Sequence, residues 1–257
     1  MVHPLSGIDK KLERSQAHIY NLEQQVSSFR KREPYTLRVR EDIQDGERVG
    51  RVIAIKNGQI DDPDSALVLL AGEALYQLRS ALDHLVHQLV IVAGNRPERL
   101  NQFPIFQTPD DYKRKAGKRI AGVSTSVAAL IEGEQPYNRK PHAASQDELW
   151  ILQDLNNTDK HRFVPITVLG IGGIRLFDKK GTLCHITSPD TVLEDNQLVW
   201  SFSRPDRQYD DIQAQITCAV AFEEAMEIDG CTMSLDHLLW RIFGRVNEII
   251  EQFRGLF

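Results

Sequence analysis

Apolar positions recur at helical spacing through most of the first 160 residues and shift to strand-like runs from about residue 163 onward. Ile8, Leu12, His18 or Ile19, Leu22 and Val26 share one face among many charges, which predicts an amphipathic helix over 6–32. The next stretch, YTLRVREDIQDGERVGRVIAIKNGQ, alternates instead. Leu37 and Val39 on one side and Val49, Val52, Ile53 and Ile55 on the other flank Asp45-Gly46, so a β-hairpin is expected over 36–56. Asp62-Pro63-Asp64-Ser65 then offers cap chemistry with proline in the first turn, and the helical pattern runs unbroken to Gly94. That helix, 63–94, should be the central element. A last one, over 234–256, carries Leu235, Leu238, Leu239, Ile242, Phe243, Val246, Ile249, Ile250 and Phe253 as a broad apolar stripe and should pack against it.

Between these landmarks the pattern is finer grained. Phe103-Pro104-Ile105-Phe106 is a short apolar run that its proline keeps extended. Short helices are expected at 109–117 and 123–132, and another at 142–157, where Ser145 and Glu148 have the spacing of a capping box. FVPITVLGIGGIRLF, TLCHITS, QLVWSFS and DIQAQITCAVAF read as strands of an antiparallel meander over 163–222, with Gly170-Ile171-Gly172-Gly173 marking a bend or bulge. The expected class is α+β: one domain over 1–257 with a core of three long helices, an inserted β-hairpin and a β-meander in the C-terminal half.

Composition narrows the function classes. With 257 residues, 41% hydrophobic and 26% charged, the chain is globular, and no segment approaches the roughly 20 apolar residues that span a bilayer. No membrane partner is expected. The N-terminal MVHPLSGIDKKLERSQ lacks the basic start and apolar run of a secretory signal, so the expected location is cytoplasmic. Cys184, Cys218 and Cys231 form no CxxC pair and no even set, which argues against a disulfide framework. A net charge of −5 argues against coating nucleic acid over the whole surface. Lys113, Arg114, Lys115, Lys118 and Arg119 are the one dense basic cluster, either a solvated helix end or a patch facing the phosphates of RNA. There is no GxSxG and no glycine-rich nucleotide fingerprint, and no cofactor is expected.

The chemistry that remains is concentrated in LRSALDHLVHQL, residues 78–89. Leu75, Leu78, Leu82, Leu85 and Leu89 define the core face of the helix, and Arg79, Asp83 and His87 follow at i, i+4 and i+8 along one flank. His84 projects about 140° away from Arg79 around the axis. Three readings are open: an Arg79–Asp83 ion pair on an ordinary helix; a catalytic set of Arg79, His84, Asp83 and His161; or a divalent metal on Asp83 and His87, completed by His84 or His161. His161 belongs to the second dense stretch, Asn156-Asn157-Thr158-Asp159-Lys160-His161-Arg162. That stretch reads either as boundary chemistry at a helix end or as a loop presenting Asp159 and His161 to the central helix.

LRSALDHL, FPIF and DKHR, in this order, resemble a bacterial and phage-encoded protein family to which no function is assigned, over about the middle third of the chain. The resemblance implies a shared fold. Arg79 followed by His84 also resembles the Arg-x4-His motif of the HEPN superfamily, although Ser80 stands where that superfamily usually has Asn, Asp or His. That resemblance implies a homodimer whose two motifs meet and cleave RNA without a metal, His84 acting on the 2′-hydroxyl and Arg79 on the phosphorane charge. The alternatives are a metal-dependent enzyme on Asp83, His87 and His161, and a non-catalytic interaction module in which Arg79, Asp83 and the DKHR loop are structural.

Overall fold

The computed structural model describes residues 3–57, 65–139, 143–160, 166–177, 183–187, 191–203, 213–222, 227–228 and 231–257. Helices and antiparallel strands make an α+β protein that separates into two compact units, one of residues 1–23, 65–165 and 224–257, the other of 24–64 and 166–223.

The long helices appear where the apolar spacing places them: α1 at Ser6–Lys31, α2 at Ser65–Val92 and, last in the chain, α6 at Leu235–Arg254. Between them lie α3 at Pro109–Arg119, α4 at Thr125–Gly133 and α5 at Glu148–Asp159. Each short helix begins at a side-chain cap, with the Thr108 and Ser124 hydroxyls accepting from the amides of Asp111 and Val127. For α5 the expected capping box is replaced. Ser145 lies in a 3-10 turn at Ala144–Gln146, and Asp147, adjacent to the first helical residue, accepts from Leu149 N–H at 2.9 Å. The residues preceding Ser65, where a proline-led cap was expected, lie outside the described residues.

In the first unit α2 packs against α5 and α6, and α5 against α6. Leu75, Leu78, Leu82, Leu85 and Leu89 of α2 are all buried, as is the α6 stripe from Leu235 to Phe253 apart from the half-buried Phe243. Glu148 of α5 ties the last two together, accepting from Arg241 of α6 at 2.6 Å.

In the second unit, β1 (Tyr35–Gln44) and β2 (Glu47–Lys56) form the hairpin. Its turn residues Asp45 and Gly46 both have positive φ, 54° and 84°, as the two-residue turn requires. The later strands are antiparallel: β3 (Ile166–Phe177), β4 (Leu183–Thr187), β5 (Thr191–Val192), β6 (Gln197–Ser203) and β7 (Gln213–Phe222). Their pairing is not sequential. β4 and β5 lie along one side of β3 and β7 along the other, while β6 joins the hairpin in the order β1-β2-β6. The glycine run in β3 coincides with a register shift between Ile171 and Arg175 against β7. Apolar side chains of both sheets, Val52, Leu176, Leu37, Val39, Ala214 and Ile216 among them, form one cluster. A two-stranded ribbon of β8 (Glu227–Ile228) and β9 (Cys231–Thr232) precedes α6.

The FPIF segment is the irregular piece on which the first unit closes. Residues 103 to 106 adopt neither helix nor strand, yet all four are buried, so their peptide groups must find partners other than water. Gln135, itself wholly buried, supplies two of them. Its amide donates to the Pro104 carbonyl at 2.8 Å and to Ile131 at 3.1 Å, and its oxygen accepts from Phe106 N–H at 3.1 Å. Replacing Gln135 with Met keeps the volume and orphans both backbone groups, so Gln135→Met should lower the unfolding free energy by about 2–4 kcal/mol. Urea denaturation checks this, and a change within experimental scatter would mean that the segment finds other partners.

Candidate functional site

Arg79 and Asp83 lie one turn apart on the flank of α2 that meets FPIF. Arg79 is 5% exposed. Its Nη2 donates to the Phe103 carbonyl at 2.7 Å and lies 2.9 Å from Asp83 Oδ1, and that same Oδ1 accepts from Phe103 N–H at 2.9 Å. The ion pair therefore grips both backbone groups of a single residue. Burial pushes the Arg79 pKa down, Asp83 pulls it back up, and the nearby Arg119 lowers it further. Nη1 of Arg79 is buried without a hydrogen-bond partner among the described residues.

His84 and His87 stand apart from this grip. His84 is exposed, as the helical wheel directs, and its pKa is lowered first by partial desolvation, then by Lys11 of α1 and by His87, with Asp83 opposing. His87 is half-buried one turn beyond Asp83. Among the described residues no three His, Cys, Asp or Glu side chains gather as a metal-binding set, and His161 lies outside those residues. The structure thus joins Arg79 with Asp83 and leaves His84 on another face of the helix.

The basic cluster falls on α3, where its members have different surroundings. Arg114 and Lys115 both pair with Asp111, holding that carboxyl below the usual range. Arg119 lies over the Phe106 ring, 4.6 Å from its centroid, and Lys115 lies 5.8 Å from the same ring. Lys113 and Lys118 are exposed and make no ion pair among the described residues.

A second polar cluster, which the sequence pattern did not single out, lies nearer the start of α2. Nδ1 of His18, on the buried face of α1, is 3.1 Å from Glu73 Oε2, and burial holds the imidazole pKa below its ordinary value against the pull of Glu73. Beside the pair is a notch of about 340 Å³ lined by Arg14, His18, Gly72, Glu73, Tyr76 and Asp159. Asp159, the first residue of the DKHR stretch, closes it. Burial raises the Asp159 pKa, and a Cβ on Gly72 would lie 2.5 Å from Asp159 Oδ1. Of the stretch expected to present Asp159 and His161 to the central helix, Asp159 does meet it, while His161 and Arg162 lie outside the described residues. Asp159 meets α2 at Gly72, seven residues and about 10 Å of helix rise from Arg79. The sequence signal was Gly72 itself, a helix-interior glycine for which the apolar pattern gives no reason.

The notch can take up and release a proton at His18 or Asp159, but its lining brings no nucleophile to either. Glu73 is 57% exposed, so solvent screens its pair with His18. No protein-family model matches this chain, and neither a curated protein nor a solved structure does.

The close approach at Gly72 has a measurable consequence. Gly72→Ala should cost about 1–3 kcal/mol by displacing the Asp159 carboxylate. In an Asp159→Ala background it should instead stabilise by up to about 1 kcal/mol, the ordinary gain of alanine over glycine inside a helix. Thermal unfolding of the four chains in the cycle decides this, and equal effects in both backgrounds would show that the contact is not why glycine stands there.

Proposed function

We propose that this protein acts by binding, as a non-catalytic interaction module, and that Arg79 and Asp83 serve its fold. The observation that carries this reading is the double grip on Phe103, in which Arg79 Nη2 and Asp83 Oδ1 are engaged by the carbonyl and the N–H of one buried residue. A HEPN-like ribonuclease would need Arg79 against a phosphate and His84 against the 2′-hydroxyl. Its arginine would have to leave a buried site and orphan the Phe103 carbonyl. A metal on Asp83, His87 and His161 would compete for the same carboxylate. RNA binding without cleavage would fall to Lys113 and Lys118, the exposed α3 cations without an ion pair. Two phosphate contacts give only a shallow salt dependence on single strands, a log–log slope of about −1.4.

The test combines activity with stability. The 257-residue chain incubated with single-stranded RNA in EDTA should leave the RNA intact. Arg79→Ala should destabilise the fold by about 2–4 kcal/mol, because it orphans the buried Phe103 carbonyl and takes the counter-charge from the half-buried Asp83. Arg79→Lys should not rescue it, since a point charge cannot reproduce the guanidinium fork. His84→Ala should change stability by less than about 0.5 kcal/mol. RNA cleavage that disappears in His84→Ala while the melting temperature holds would sink this reading in favour of the ribonuclease. Stoichiometric metal lost on Asp83→Ala would favour the metal enzyme.

A further inference from the structure

We propose that the notch between α1, α2 and the C-terminal end of α5 binds the ammonium group of a primary amine, held by Asp159, His18 and Glu73. The inference rests on reading the protein as a binding module and names one ligand chemistry for it.

The whole lining belongs to the first unit. Beside it α1 is pinned to α2, where the Ser15 hydroxyl donates to the buried Ala74 carbonyl at 3.1 Å. Asp159 of α5 rests against Gly72 of α2, where a Cβ would come within 2.5 Å of its Oδ1. Packing thus fixes the walls before a ligand arrives, which limits the entropy lost on binding.

Three acceptors open on the notch without a donor to meet them. The Asp159 carboxylate is half-buried and makes no hydrogen bond or ion pair among the described residues, so nothing offsets the burial that raises its pKa. His18 is 7% exposed. Its Nδ1 lies 3.1 Å from Glu73 Oε2, which fixes the ring proton on Nδ1 and leaves Nε2 with an acceptor lone pair. Nε2 has no hydrogen-bond partner among the described residues and is not sealed from solvent, so that lone pair faces the notch that His18 lines. The other oxygen of Glu73 has no partner among the described residues either. An acceptor held away from bulk water without a donor costs free energy, which the N–H groups of a ligand recover.

A primary ammonium carries three N–H donors and one positive charge, and it answers all three acceptors at once. Charge-assisted N–H···O contacts span about 2.7–2.9 Å, against about 2.0–2.2 Å for a zinc ligand. Among the described residues no three His, Cys, Asp or Glu side chains gather tightly enough to hold a metal, and the longer reach of an ammonium suits the set better. Tyr76, 55% exposed on the same lining, offers its ring to the cation or to the methylenes behind it. Arg14 is exposed one turn before His18 and makes no ion pair among the described residues. Its charge helps hold the imidazole neutral and turns away a second cation. At about 340 Å³ the notch lies at the small end of ligand sites. The ligand is therefore a small monoamine or a single lysine side chain.

The experiment titrates the nitrogen-15-labelled 257-residue chain with 1-aminobutane near neutral pH and at constant ionic strength, and follows amide shifts by NMR. The amine is charged there, as a lysine side chain is. The Gly72, Tyr76 and Asp159 amides should shift together and saturate with a Kd below about 10 mM, the affinity of a five-atom ligand at ordinary efficiency. Butyltrimethylammonium has the same charge and no N–H, and it should bind at least about tenfold more weakly. Asp159→Asn should weaken the amine at least about tenfold with the melting temperature unchanged or higher, because the carboxylate is desolvated and unpaired in the free protein. Glu73→Gln, at an exposed position, should weaken it about two- to threefold. Nα-acetyl-lysinamide distinguishes the two sources: tighter binding than 1-aminobutane assigns the notch to a lysine of a partner protein, weaker binding to a free amine. The proposal is overturned if the shifts fail to saturate or fall away from the notch, if the trimethyl cation binds as well, or if Asp159→Asn keeps wild-type affinity. A lowered melting temperature in Asp159→Asn, with affinity unchanged in Glu73→Gln, would equally overturn it and make the carboxylate a structural group. Failure of these arms with RNA still intact would remove the amine site and leave the module reading standing, whereas RNA cleavage dependent on His84 would remove the module reading whatever the amine does.

Discussion

The first unit depends on satisfying the peptide group of Phe103 away from both water and regular structure. A wholly buried residue outside helix and sheet leaves a donor and an acceptor that would each cost about 1–3 kcal/mol if unmet. In a sheet a neighbouring strand would meet them. Here two side chains one turn apart on α2 do so, Arg79 offering a donor where the carbonyl lies and Asp83 an acceptor where the N–H lies. Their own attraction at 2.9 Å holds the two heads at this spacing. The arrangement carries a desolvation penalty, visible in the lowered Arg79 pKa and in a buried Nη1 without a partner. Removing Asp83 would leave Arg79 to bear that penalty without its counter-charge.

Gln135 repeats the device at Pro104 and Phe106, while Asn101 works the other way round, its own amide donating to the carbonyls of Arg119 and Ala121. The segment from Phe103 to Phe106 thus behaves as a strand whose partners are the side chains of Arg79, Asp83 and Gln135. This places Arg79 and Asp83, though not His84 or His87, in the packing of α2. Exposed cations without an ion pair among the described residues lie on α3, at Lys113 and Lys118.

How much of this could be read from the amino acids depends on the range of the interaction. The three long helices and the Asp45-Gly46 turn are local, each set by spacing or by a backbone conformation that few residues adopt, and they stand where expected. The α+β class followed from the change of period. The placement of β6 against β2 did not, because it joins residues about 150 positions apart and alternation carries no record of partner choice. The helical wheel separated Arg79 and Asp83 from His84, but a wheel gives a direction and not the group lying there. Phe103 lies some twenty residues farther along the chain and contributes only backbone to the contact, and backbone groups are the same at every position. The His18–Glu73 pair was hidden in a similar way, since His18 filled an apolar position of α1 and drew no attention. Asp159 was singled out, yet its partner is a glycine whose contribution is space.

The claim that α2 holds Phe103 by its peptide group is tested most directly by amide hydrogen exchange at that one residue, read by NMR in the wild-type chain and in Asp83→Ala. The wild-type Phe103 N–H should exchange as slowly as the most protected amides of α2, opening only with the unit as a whole. In Asp83→Ala it should lose most of that protection while the α2 amides lose only what the overall destabilisation dictates. Exchange of the wild-type Phe103 amide at the rate of an exposed loop, or protection unchanged by the loss of Asp83, would contradict the account.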